Sequence, residues 1–298
     1  MENYLEIIEF NDPLCTWCYG SEPILTKLLY RFPEQIKLSF VMGGLVRDIR
    51  EWYDSRNPDA DPIEANNKNL PLSWLESSKR HGMPVITEGF KLFSNEYPSS
   101  FPQNIAVKAA QFEGDEIAAK FLRRLRFATI LEGKVTSRLD VLIEIASEVG
   151  LNLSSFISHI EDGSAERAFE EDRYAVQQYQ IKGFPAFMVK YKDKQVLMRS
   201  FQTYEDFLAV FKMLGADLKE KDVVATSDNV LEFIEQFELV APVEIKSTFN
   251  LTNEELKDLL DKMKAEQLIR RQQLGNGELI SPNHTPLECD PLSGFCSF

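Results

Sequence analysis

The 298-residue chain has no run of about 18 consecutive apolar residues, so no segment of it is expected to cross a bilayer as a helix. Cations are in deficit: 33 Lys and Arg stand against 47 Asp and Glu, a formal net charge of −14. That balance excludes a broad phosphate-neutralising face, so neither nucleic acid nor an anionic membrane is expected as a partner. The opening residues Met1-Glu2-Asn3-Tyr4-Leu5 lack the basic start and apolar core of a secretory leader, which makes the cytoplasm the expected location. No glycine-rich phosphate loop is present. The three histidines, His81, His159 and His284, are isolated in sequence and read as surface or core residues; they suggest neither a triad nor a ligand set. No metal and no cofactor are therefore expected. Cysteine is scarce too: four in an intracellular chain of this length point to redox or metal chemistry, not to a disulfide scaffold.

What is present suffices for a large core. The length suits a principal domain with a smaller second one, and 44% hydrophobic residues place the chain among ordinary globular proteins. Residues 4–10 read as a strand that stops at Asn11-Asp12-Pro13. A helical pattern follows from Thr16 to Arg31, with Pro23 as a kink inside it. Residues 36–42 form a second strand closed by Gly43-Gly44, so the chain opens with a βαβ unit, which favours a parallel sheet. Residues 52–173 carry helical periodicity and no convincing alternating strand, as expected of an all-helical insertion. A turn over 180–185, a strand from Ala186 to Tyr191, a hairpin through Lys192-Asp193-Lys194, a strand from Gln195 to Phe201 and a helix Tyr204–Leu214 complete the layer. From about residue 221 three helices (229–237, 243–249, 252–266) and a hairpin over Leu268–Ile280 give a winged-helix outline. Residues 1–220 and 221–298 are thus expected as two units.

Chemistry concentrates at Cys15-Thr16-Trp17-Cys18. Two sulfurs one helical turn apart at the start of a helix are close enough to form a disulfide and exchange it rapidly. Free N–H groups and the positive end of the helix dipole favour the Cys15 thiolate, so Cys15 is the expected attacker and Cys18, further into the helix, the resolving thiol. A zinc site would need two more ligands at matching spacing. Trp17 offers a flat contact surface for substrate. Arg123-Arg124-Leu125-Arg126 lies in a helical stretch and reads as a solvated face, not a phosphate site.

Asp12-Pro13-Leu14-Cys15-Thr16-Trp17-Cys18-Tyr19-Gly20, the helical insertion and Gly183-Phe184-Pro185 together resemble the DsbA-like branch of the thioredoxin superfamily, in particular its cytosolic dithiol–disulfide isomerases. The resemblance covers about residues 1–215. It implies an α/β thioredoxin-like fold with a helical insertion; the acidic winged-helix-like module at the C-terminus is additional. It also implies that Pro185 is a cis-proline facing the sulfurs, that the Phe184 backbone binds an extended substrate, and that Glu9, or Asp12 in competition with it, relays a proton to the resolving cysteine. No histidine stands between the cysteines, unlike in strongly oxidising relatives.

The expected activity is that of a thiol–disulfide oxidoreductase or isomerase. Its partners would be a disulfide- or thiol-containing protein or a small thiol, together with a reductant or oxidant that resets the pair. Two alternatives stand beside it: a glutathione-dependent isomerase or transferase of the DsbA-like layout, whose members usually hold serine at the position of Cys15, and a non-catalytic redox-sensing adaptor. Cys289 and Cys296, in a tail rich in Pro and Gly, form a second dithiol that could exchange with the first. Residues 223–298 hold 6 Lys and Arg against 13 Asp and Glu, so this module is expected to pack or meet a partner and not to bind DNA.

Overall fold

The computed structural model describes residues 4–52 and 59–283 and, of the tail, the backbone of 288–289 and 296–297. The central strand β1 (Leu5–Asn11) pairs in parallel with β2 (Ile36–Met42), Leu5 opposite Ile36. On its other side β1 pairs antiparallel with β3 (Ala186–Tyr191), which pairs antiparallel with β4 (Lys194–Arg199), for an order β2-β1-β3-β4. The parallel arrangement expected from the opening βαβ unit is confined to β1 and β2. Those two are joined through α-helix, whereas β3 and β4 are joined by the two residues Lys192 and Asp193, and so short a link permits only antiparallel neighbours.

The helix expected over Thr16–Arg31 is two helices, α1 (Thr16–Tyr19) and α2 (Glu22–Arg31). Pro23 lies in the first turn of α2, where its missing N–H would have had no intrahelical acceptor, so it starts a helix and does not kink one. Between β2 and β3 the described residues form helices α3 (Pro62–His81), α4 (Phe101–Gln111), α5 (Asp115–Arg126), α6 (Leu139–Glu148), α7 (Leu153–Glu161) and α8 (Ser164–Gln178). Helices α4–α8 surround Ala106, Ala110, Phe121, Leu125, Ile145, Phe156 and Phe169, and α9 (Tyr204–Leu214), opened by a Thr203–Asp206 capping box, closes the sheet layer.

Three helices follow, α10 (Ser227–Phe237), α11 (Pro242–Phe249) and α12 (Asn253–Ala265), and then the hairpin β5 (Ile269–Leu274) and β6 (Gly277–Pro282). A bridge from Val240 to Ile280 completes the winged-helix outline. This module is packed into the rest of the chain. Tyr30 of α2 enters its core, 5.2 Å from the Phe233 ring and 5.7 Å from that of Phe249, and its hydroxyl donates to the Asn229 carbonyl at 3.0 Å. At the hairpin turn Asn276 accepts from the Val85 N–H at 2.7 Å and donates its own backbone N–H to the Val85 carbonyl at 3.1 Å. In the tail, β7 (Glu288–Cys289) pairs antiparallel with β8 (Cys296–Ser297), Cys289 opposite Cys296. The relation of those two side chains to Cys15 and Cys18 lies outside the described residues. Among the described residues no helix is long and apolar enough to cross a membrane.

Candidate active site

Strand β1 delivers the chain to the sheet end, and the turn after it makes Cys15 the N-cap of α1. There the Cys15 sulfur accepts the Cys18 N–H at 3.3 Å, one of the donors a helix start leaves without an intrahelical partner. The Cys15 thiol donates to the Phe184 carbonyl at 3.5 Å. Both cysteines are free thiols, but they differ in access: Cys15 keeps 7% of its surface, Cys18 none. Burial pushes the Cys18 thiol well above its usual range, and the neighbouring Cys15 and the Glu9 carboxylate push it further.

The Phe184–Pro185 peptide is cis, as the resemblance implies. The Phe184 ring rests on Gly43, where a Cβ would lie 1.8 Å from its Cζ; glycine is what lets the two segments approach. Trp17 is half-buried and sits edge-on to both His81 (5.8 Å) and Phe201 (5.7 Å), so the open contact face expected of it is narrowed. His81, at the end of α3, is a core residue beneath the cysteine helix. Its Nδ1 accepts the Met83 N–H at 3.1 Å, which leaves Nε2–H facing the Thr16 hydroxyl at 3.4 Å; burial lowers its pKa to about 4. A Cβ at Gly20 would meet the His81 ring at 2.5 Å.

The two acids raised as proton carriers have different surroundings. Asp12 accepts four hydrogen bonds, from the N–H groups of Leu14 (2.8 Å) and Leu45 (2.7 Å), the Ser100 hydroxyl (3.1 Å) and the Asn104 amide (2.7 Å). It ties the loops after β1 and β2 to the start of α4; burial raises its pKa against the pull of those donors. Glu9, wholly buried, has one oxygen on Arg126 Nη2 at 3.0 Å and another, Oε1, that accepts no hydrogen bond among the described residues. Burial raises its pKa to about 7, with the Arg126 guanidinium opposing.

The expectation that Arg123, Arg124 and Arg126 form a solvated face is overturned. Arg126 is 1% exposed and each of the other two side chains 11%. Buried guanidiniums persist where carboxylates meet them, and Glu9, Glu22, Glu132, Glu148 and Glu244 do so here. Arg126 is the residue that sequence reasoning missed at this site. The signal was Glu9 itself, since an acid at an interior position of an apolar strand calls for a cation.

A family model described as thioredoxin matches residues 9–208. The ClpXP adapter protein SpxH of Bacillus subtilis strain 168 is 26% identical over 267 residues, covering 87% of this chain and 83% of its own. That of Halalkalibacterium halodurans is 24% identical over 267 residues, covering 88% and 84%. Among solved structures, the cytosolic disulfide reductase DsbM from Pseudomonas aeruginosa superposes with a TM-score of 0.53 at 20% identity, over 70% of this chain and 99% of its own. The same reductase with GSH superposes with a TM-score of 0.51 at 19% identity, over 70% and 98%. The structural likeness shows the fold. The SpxH alignments are long enough to reach past residue 208, into the C-terminal module.

Proposed function

This chain belongs to the thioredoxin family, and on that premise we propose that it catalyses thiol–disulfide exchange through Cys15 and Cys18. The observation that carries the reading is the difference in access between the two sulfurs. The Cys15 thiolate attacks one sulfur of a substrate disulfide, forming a mixed disulfide and releasing the first substrate thiol. Cys18 then passes its proton to the free Oε1 of Glu9 and attacks the Cys15 sulfur, so that the pair becomes a disulfide and the substrate leaves reduced by two electrons. A thiol reductant resets the pair, and glutathione, bound in one of the DsbM structures that this chain resembles, is the small thiol to try first. The Phe184 carbonyl borders the sulfur on which an extended substrate would lie. Glu9 is preferred to Asp12 as proton carrier because Asp12 already serves four donors.

Mass spectrometry after incubation with a disulfide-bonded peptide tests the roles. Cys15→Ser should form no adduct, whereas Cys18→Ser should accumulate a peptide adduct on Cys15 that wild type resolves. Adducts in Cys15→Ser and none in Cys18→Ser would reverse the assignment.

A second reading has a specific observation behind it: relatives that match the C-terminal module as well are named adapter proteins. On that reading, residues 221–298 and the thioredoxin-like unit 1–220 dock a protein together and the cysteines report its redox environment. Cys15→Ser would then leave partner binding intact while an insulin-reduction assay stays at background in wild type. The Cys289–Cys296 tail belongs to the proposal as a relay dithiol. Removing residues 286–298 should slow turnover of a bulky oxidised protein and spare a small dithiol.

A further inference from the structure

Five charged side chains from four elements of the fold make one buried chain. Glu9 on β1 meets Arg126 on α5 at 3.0 Å, and Arg126 meets Glu22 on α2 at 2.5 Å. Glu22 meets Arg123 on α5 at 2.8 Å, and Arg123 meets Glu244 on α11 at 2.9 Å. The C-terminal module grips the far end further, since Arg123 also donates to the Leu239 carbonyl at 2.6 Å and Glu244 accepts the Ala241 N–H at 2.7 Å. Glu9 and Glu244 have no exposed surface, and the other three side chains keep between 1% and 11%.

Three carboxylates against two guanidiniums leave one negative charge in excess among side chains that are largely buried, although Glu22, Arg123 and Arg126 also line a surface cavity. An uncompensated buried charge is costly, and a carboxyl group there takes up a proton instead. Both oxygens of Glu22 are engaged by arginines. Within the chain, Oε1 of Glu9 and Oε1 of Glu244, one at each end, accept no hydrogen bond among the described residues, although that of Glu244 still lies 2.9 Å from Arg123 Nη2 as an ion pair.

We propose that Glu244 and Arg123 are positioning residues of the Cys15–Cys18 site: the C-terminal module competes with Glu9 for the single proton of the buried chain and thereby sets the protonation of the carboxyl beneath Cys18. Electrostatics agrees with the geometry. Burial raises Glu9 and Glu244, the two ends, whereas the arginines on either side outweigh burial at Glu22 and hold it low. The groups facing Glu9 are Arg126, Glu22 and Cys18; those facing Glu244 are Arg123, Glu22 and the Tyr19 hydroxyl. The inference takes its consequence for exchange from the function proposed above, but the proton sharing can be read without turnover.

Glu244→Gln removes the competing carboxyl and leaves two carboxylates with two guanidiniums, while the amide oxygen can still accept the Ala241 N–H. The experiment is carboxyl NMR on full-length reduced protein carrying 13C-labelled glutamate side chains, with Glu9 assigned by the signal lost in Glu9→Gln. In Glu244→Gln the Glu9 midpoint should fall from about 7 by about half a unit to one unit. The pH profile for resolution of the mixed disulfide should move with it. Glu254→Gln, an exposed carboxylate of the same module, should move neither. An unmoved or raised Glu9 midpoint in folded Glu244→Gln overturns the proposal. Wild type supplies a measurement that needs no variant: a shared proton makes the Glu9 and Glu244 signals each show the same two inflections, and single independent midpoints overturn it as well. Coupled titration in a protein that exchanges no disulfide would leave this inference standing and remove the catalytic reading.

Discussion

Glu9→Gln should make the protein more stable at neutral pH than at acid pH relative to wild type. In the folded protein the Glu9 pKa is about 7, against 4.5 for an unburied glutamate. Between those values the folded protein keeps a proton that the unfolded chain has released, so stability falls as pH rises through the window. The contribution is complete below the unfolded value and gone above the folded one. At 1.36 kcal/mol per unit, the gap amounts to about 3 kcal/mol. Glutamine mimics the protonated carboxyl and does not titrate. Urea denaturation of both proteins, with reductant present and at steps from about pH 4.5 to about pH 8, should show the variant gaining about 3 kcal/mol on wild type across the range. A difference that stays constant with pH, or grows in the opposite sense, would refute the reasoning, because Glu9 would then be an ordinary carboxylate fully compensated by Arg126.

His81 should act in the opposite direction: its folded pKa of about 4 lies below the usual 6.5, so wild type should lose about 3 kcal/mol as pH falls between those values, and His81→Gln should lack that slope in the same urea series. Asp12→Ala strips the partner from two buried N–H groups and two side-chain donors and should cost about 3 kcal/mol, read as a lowered urea midpoint. Gly43→Ala must displace the Phe184 ring, and exchange with a peptide disulfide should fall on the order of tenfold to a hundredfold, with a smaller effect on a small dithiol. Equal losses on both substrates would place the effect of Gly43 on the sulfurs and not on substrate docking.

Local pattern by itself determined a good deal of this protein. The strands at 5–11 and 36–42, the helix at 204–214, the helices and hairpin of the C-terminal module, and the position of Cys15 and Cys18 at a helix start follow from period, caps and breakers, which act within a few residues of one another. The need for glycine at position 20 did not follow from them, because it answers to the His81 ring, brought there by α3. The same limit governs the charges. Arg123 and Arg126 sit on a helix whose sequence suits solvent equally well, and the carboxylates that draw them inward come from Glu9, 117 residues before Arg126, and Glu244, 121 residues after Arg123. An arginine's burial is decided by whether an acid waits at the place where the helix docks, and only the folded chain brings those acids together. So the placing of Cys15 and Cys18 at a helix start was legible from the residues around them. The buried charge chain that ties it to the C-terminal module was settled by tertiary structure alone.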